Sequence, residues 1–131
     1  MANWTYRCYD DGTSPNLWRQ WYDSSESRVK ARHDVVWRIL ETVDEWDNPL
    51  LSKVLKGNGD GLIEVKIKTN VEWRLFGFGG PKGRSFTVTG IGYHKKQIYY
   101  PREIIPKSNR IRQEIESGKA KAIICDRPKA R

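Results

Sequence analysis

The sequence predicts a single α+β domain, with a short opening strand, helices, an antiparallel sheet and a last helix. Apolar residues recur at helical spacing from Val29 to Val43, and from Gly61 onward the period changes to two. A chain of 131 residues can bury one sizeable core and not two. The domain is expected to span residues 1–117, with residues 118–131 as a basic C-terminal tail.

Trp4 to Tyr9 is β-prone and alternates before the turn signal Asp10-Asp11-Gly12, which makes it a strand. Ser14-Pro15 reads as an N-cap followed by proline at the first helical position, and Leu17, Trp18, Trp21 and Tyr22 then form one apolar face. In the next and clearest helix Val29, His33, Val36, Leu40 and Val43 fall at spacings of 4, 3, 4 and 3, with Ile39 and Trp46 widening the stripe. His33 is expected to be structural, since it sits in that stripe. Asn48-Pro49 reads as the start of a short helix that buries Leu50, Leu51, Val54 and Leu55 and closes at Gly57.

The hairpin follows. Ile63, Val65 and Ile67 point one way while Glu64, Lys66 and Lys68 point the other. After a turn near Asn70, Val71, Trp73 and Leu75 alternate with Glu72, Arg74 and Phe76. Gly77 to Gly83 reads as a glycine-rich loop, and Arg84 to His94 as a third strand with Phe86 and Val88 in the core. A terminal helix is expected from Pro101 through Ile104, Ile111 and Ile115, kinked or delayed by Pro106.

The formal charge of +8 is not evenly spread. Residues 1–61 carry 8 basic and 10 acidic side chains, whereas residues 62–131 carry 16 basic and 6 acidic ones. A surplus confined to one half is what a surface meeting a polyanion requires. The first twenty residues hold Arg7, Asp10, Asp11 and Arg19 and form no apolar signal core, and no segment approaches the length of a membrane span. Cys8 and Cys125 lie far apart without a motif and are expected as reduced thiols, so a cytoplasmic protein is expected.

Alternation puts Lys66, Lys68 and Arg74 on one face, with Lys66 directly across from Arg74. Like charges so placed weaken a sheet by a few tenths of a kcal/mol or more. Two readings are open: the pair holds an anion, or both are solvated surface cations with Glu64 and Glu72 as neighbours. Beyond the third strand, Tyr93-His94-Lys95-Lys96 is followed by Tyr99 and Tyr100. A histidine beside lysines and tyrosines suits proton transfer at a phosphodiester, and Tyr93 or Tyr99 could stack a base. Two Cys and two His at these spacings make no zinc site, the glycine-rich segment lacks the Gly-Lys-Ser/Thr ending of a phosphate loop, and acidic residues are scarce in the basic half. No metal or other cofactor is implied, so nuclease chemistry here would use the RNA 2′-OH as nucleophile.

The run Leu55-Lys56-Gly57…Gly61-Leu62-Ile63-Glu64-Val65-Lys66-Ile67-Lys68, then Val71-Glu72-Trp73-Arg74, resembles the phage-derived HigB-type branch of the RelE toxin superfamily. So do Phe76-Gly77…Gly80-Pro81…Gly83-Arg84-Ser85-Phe86-Thr87, the segment Gly92…His94-Lys95, and Asn16-Leu17-Trp18-Arg19-Gln20-Trp21-Tyr22-Asp23. The resemblance implies a RelE-like compact antiparallel sheet with N-terminal helices on one face and a C-terminal helix. It implies the toxin of a type II toxin–antitoxin system: an endoribonuclease that cuts mRNA, often on the ribosome. The partner it implies is a small antitoxin, commonly a helix-turn-helix protein. Lys66 and Arg74 fall where the family places cations for the scissile phosphate, and Lys95 and Lys96 in its basic loop beside His94. The catalytic set expected is Lys66, Arg74, His94 and Lys95, with Lys68, Arg84, Tyr93, Lys96 and Tyr99 binding RNA. Arg74→Ala is expected to remove activity and leave the fold intact. The alternatives are a non-catalytic nucleic-acid-binding phage-derived protein of the same fold and a structural phage component.

Overall fold

A computed structural model describes residues 5–10, 12, 16–43, 46, 50–55, 61–80 and 85–125. Its elements, in chain order, are β1 (Thr5–Asp10), α1 (Leu17–Ser24), α2 (Ser27–Leu40), β2 (Ser52–Val54), β3 (Ile63–Lys68), β4 (Glu72–Gly80), β5 (Ser85–Lys95), β6 (Ile98–Tyr100), α3 (Ile104–Glu116) and β7 (Lys121–Ile124). The strands make one sheet in the order β2-β3-β4-β5-β1-β7, with β6 also on β5. Its pairings are antiparallel except β1 on β5, which is parallel. This is a mixed α+β fold.

Helices α1 and α2 cover one face. Ile63, Val65, Ile67 and Leu75 meet Trp18, Tyr22, Val29, Val36, Trp37 and Leu40 in the main core. A bulge between Phe76 and Gly77 skips Thr89, so Ile91 faces this core above it and Val88 and Phe86 face it below. Helix α3 lies on the other face and forms a second small core of Leu55, Leu62, Phe76 and Ile104. Pro106 neither kinks nor delays α3: it sits in the first turn, where a backbone N–H has no helical partner to lose.

Several expectations change. Asn16, not Ser14, caps α1, its Oδ1 accepting from the Arg19 N–H at 3.0 Å. Trp37 is fully buried and stacks on Tyr6 with ring centroids 4.1 Å apart, while Ile39 stays 41% exposed. The helix expected after Pro49 is instead the edge strand β2, because Ser52 to Val54 pair with Val65 to Ile63. Gly77 to Gly80 belong to β4, drawn into extended pairing by β5, while 81–84 lie outside the described residues.

Residues 121–124, expected in the tail, pair with β1 and belong to the same sheet. Cys125 and Cys8 form a disulfide across that pair, so neither is a reduced thiol here. The sequence hid this because the two cysteines are 117 residues apart and meet only once β1 and β7 are neighbours. His33 is structural, as expected. It is fully buried, with Nε2 3.0 Å from the Tyr6 hydroxyl and Nδ1 2.9 Å from Asp34 Oδ1, and the Tyr22 hydroxyl donates to Asp34 at 2.9 Å.

Candidate active site

The register of the hairpin sets Lys66 opposite Arg74 and Lys68 opposite Glu72, as alternation predicts. Strand β5 then places His94 opposite Glu72 and Gly92 opposite Arg74, and a two-residue turn at Lys96-Gln97 brings Tyr99 opposite His94. Both turn residues take positive φ, 51° and 65°, the backbone of a type I′ hairpin. Side chains alternate along each strand, so Glu64, Lys66, Lys68, Glu72, Arg74, His94 and Tyr99 share the face away from α1 and α2.

Two glycines let the rest of the chain close over this face. A Cβ at Gly90 would run into the Ser108 hydroxyl of α3, and one at Gly92 into the Tyr100 carbonyl oxygen. The chain leaving β6 therefore crosses directly above Gly92 and lays α3 over Gly90 and Phe76. The charged cluster lies from there toward the β3–β4 turn.

Arg74 is not a surface cation. It is 5% exposed, and Glu64 opposite Phe76 is 3% exposed. Arg74 Nε lies 3.7 Å from Glu64 Oε2, Nη2 lies 3.5 Å from Glu72 Oε1, and Nη1 donates to the Trp73 carbonyl at 3.0 Å. Two carboxylates thus offset the repulsion between Arg74 and Lys66. The Tyr99 hydroxyl donates to Glu64 Oε2, and its ring packs edge-on against Phe76 and tilted against His94, 5.1 Å away. Burial, then the bond to Glu64, pushes the Tyr99 phenol above its ordinary value. Burial pulls the Lys66 ammonium below the usual lysine range, against the attraction of Glu64 and helped by Arg74, Lys68 and Lys53. The face therefore offers a half-buried lysine, a histidine, a protonated tyrosine and a buried arginine–carboxylate pair.

Of the other expected residues only Lys68 is on this face. Lys95 and Tyr93 alternate with His94 and point to the opposite face, where Tyr93 stacks on Tyr100 at 5.3 Å and meets Trp73 edge-on at 6.0 Å. Lys68 stands exposed at the hairpin end of the charged face, Lys96 stands in the turn, and Arg84 lies outside the described residues. Glu64 is the member that sequence reasoning treated only as a neighbour. Its signal was present, since it alternates in phase with Lys66, but its partner Tyr99 comes from β6 and is not visible in the hairpin's own pattern. Among the described residues no group of three or more His, Cys, Asp or Glu could hold a metal ion, and no helix is long and apolar enough to cross a membrane. Comparison with protein-family models, with curated proteins and with solved structures finds no match to this chain.

Proposed function

We propose that this protein is a metal-independent endoribonuclease that cleaves mRNA as the toxin of a type II toxin–antitoxin pair. The observation that carries the reading is the juxtaposition of Lys66 with Arg74 and its continuation to Glu64, Tyr99 and His94 on one face. In the proposed step the ribose 2′-oxygen bonds to the adjacent phosphorus and the bond to the 5′-oxygen breaks. A 2′,3′-cyclic phosphate and a 5′-hydroxyl end remain. His94 takes the 2′-OH proton. Lys66, which gives up a proton more readily than an ordinary lysine, supplies one to the 5′-oxygen. Arg74 acts as a positioning residue, since Glu64 and Glu72 already take its charge, and Lys68 meets the phosphate backbone.

The same reading takes in the remaining partners: mRNA, on the ribosome in the manner of the resembled family, and a small helix-turn-helix antitoxin encoded alongside. It also takes in a phage-derived origin and action in the cytoplasm. The Cys8–Cys125 bond runs against that compartment, where glutathione and thioredoxin keep thiols reduced. A reducing cytoplasm would hold the pair as thiols, with β1 and β7 still joined through their backbones.

The test is induced expression with growth measurement and transcript 5′-end mapping, together with cleavage by purified protein. Lys66→Ala and His94→Ala should each lower cleavage by about 10²–10⁴-fold and leave the circular dichroism spectrum unchanged. Fully toxic, well-folded variants at both positions would refute the assignment. One observation favours a second reading, a nucleic-acid-binding protein without catalysis: the cluster sets three cations against two carboxylates, and Arg74 is already paired. That reading expects RNA retention with harmless overexpression.

A further inference from the structure

On the opposite face of the same hairpin, where the β3–β4 turn meets the α1–α2 junction, a cavity of about 230 Å³ opens. Trp21 of α1 and Trp73 of β4 make its corner, their rings 5.7 Å apart and inclined at 68°. Val29 and Val71 extend the apolar wall, and Glu26 and Asn70 supply polar groups. The space falls short of the roughly 300–1,000 Å³ of a drug-sized site, so it suits one flat ring system. A ring laid on either indole would meet the edge of the other, which satisfies both preferred aromatic geometries.

The polar groups narrow the choice. The indole N–H of Trp21 and that of Trp73 are buried without a hydrogen-bond partner. Trp18 and Trp37 share that condition, so what Trp21 and Trp73 offer the cavity is the surface of their rings. Glu26 is the N-cap residue of α2, yet its side chain makes no cap hydrogen bond. Asn70 Oδ1 accepts from Arg28 Nη1 at 2.7 Å, which turns the amide of Asn70 into a donor for any further partner. A ligand that fits must offer an acceptor to the Asn70 amide and donors to the Glu26 carboxylate.

We propose that this cavity seats a guanine base of a single-stranded RNA. Guanine presents two adjacent donors, N1–H and the N2 amino group, which one carboxylate can accept with both oxygens, and its O6 and N7 accept from N–H groups. Adenine offers a carboxylate no such adjacent pair. The site also lies in reach of the cleavage face: Trp73 and Arg74 are consecutive on β4 and point to opposite sides of the sheet. A strand with its base against Trp73 can pass over the β3–β4 turn toward Lys68 at the hairpin end. The assignment of the strand rests on the endoribonuclease reading, whereas the pocket is tested by binding alone.

Tryptophan fluorescence titration of the full chain with the pentaribonucleotides AAGAA and AAAAA separates the outcomes. AAGAA is expected to bind at least tenfold more tightly. Glu26→Gln, at an exposed position, should bring the ratio within twofold while the circular dichroism spectrum stays unchanged. Equal affinity, no binding of either strand, or a preference that survives Glu26→Gln overturns the proposal. GMP binding as tightly as AAGAA would assign the pocket to a free nucleotide and overturn the strand. Cleavage without guanine preference removes the pocket and leaves the nuclease, whereas guanine-selective binding by a protein that never cleaves does the reverse.

Discussion

Arg74→Ala should destabilise the fold itself, contrary to the sequence-based expectation that it would only remove activity. A unit ion pair at 3.7 Å, the separation of Arg74 Nε from Glu64 Oε2, attracts by about 4–5 kcal/mol at an effective dielectric near 20. In the native protein most of that gain offsets the desolvation of two buried groups, so the pair adds little net stability. Removing only the arginine forfeits the gain and leaves Glu64 buried, with Tyr99 as its hydrogen-bond donor. Such a loss costs about 3–5 kcal/mol, a large share of the roughly 5–15 kcal/mol that holds a domain together, and lowers Tm by about 10–20 °C. The double variant Glu64→Gln with Arg74→Met removes both charges and should recover most of the loss. Urea unfolding of the wild type, both single variants and the double variant, followed by far-ultraviolet circular dichroism, measures this. A wild-type urea midpoint for Arg74→Ala, or a double variant weaker than Arg74→Ala, would refute the buried-pair account.

Three further predictions concern the scaffold. Reduction of Cys8–Cys125, which links residues 117 apart, should lower stability by about 4–5 kcal/mol from chain entropy; identical urea midpoints with and without reductant would refute it. Burial and the bond to Asp34 push Tyr22 up to about 12, and Tyr99 is raised as well. Their contribution is therefore fully present below the unfolded value near 10 and is lost as pH climbs through the folded values. Phenolate absorbance at about pH 11 should rise when urea is added, and no rise would count against both assignments. Lys66, lowered by burial, acts oppositely, adding stability as pH rises from its folded value to the ordinary 10.5. Gly90→Ala and Gly92→Ala should each cost about 1–3 kcal/mol. Ser108→Ala should relieve the first and not the second, because Gly92 faces a backbone oxygen; equal rescue would be the contrary result.

Periodicity carried far in this chain wherever one physical cause decided the outcome. Alternation located β3 and β4, and the turn position then set Lys66 across from Arg74. Helical spacing found α2 and its buried His33, because a two-sided element writes its burial into its own sequence. Short segments did not declare themselves. The segment Leu50 to Leu55 reads as a short helix from its own apolar spacing, and the edge of β3 makes Ser52–Val54 the strand β2 instead. The residues of β6 and β7 are too few to show a period, and their pairing with β5 and β1 alone makes them strands.

The site divides along the same line. The sequence by itself determined which residues share a face, since side-chain direction in a strand is a property of position. Within the hairpin it therefore put Lys66 and Arg74 in phase with Glu64 beside them. Alternation carried on from Phe86 and Val88 would have sent His94 toward the core, and the bulge at Phe76 and Gly77 is what turns His94 onto the charged face and Lys95 and Tyr93 away from it. What each member is chemically was decided by tertiary structure. Helix α3 and β6 close over Gly90 and Gly92, β6 brings Tyr99 onto Glu64, and Arg74 is buried in its pair with that carboxylate. The corner of Trp21 and Trp73, and the bond between Cys8 and Cys125, likewise join residues far apart in the chain. Burial and charge compensation depend on what lies across space, and that information enters only when the elements pack.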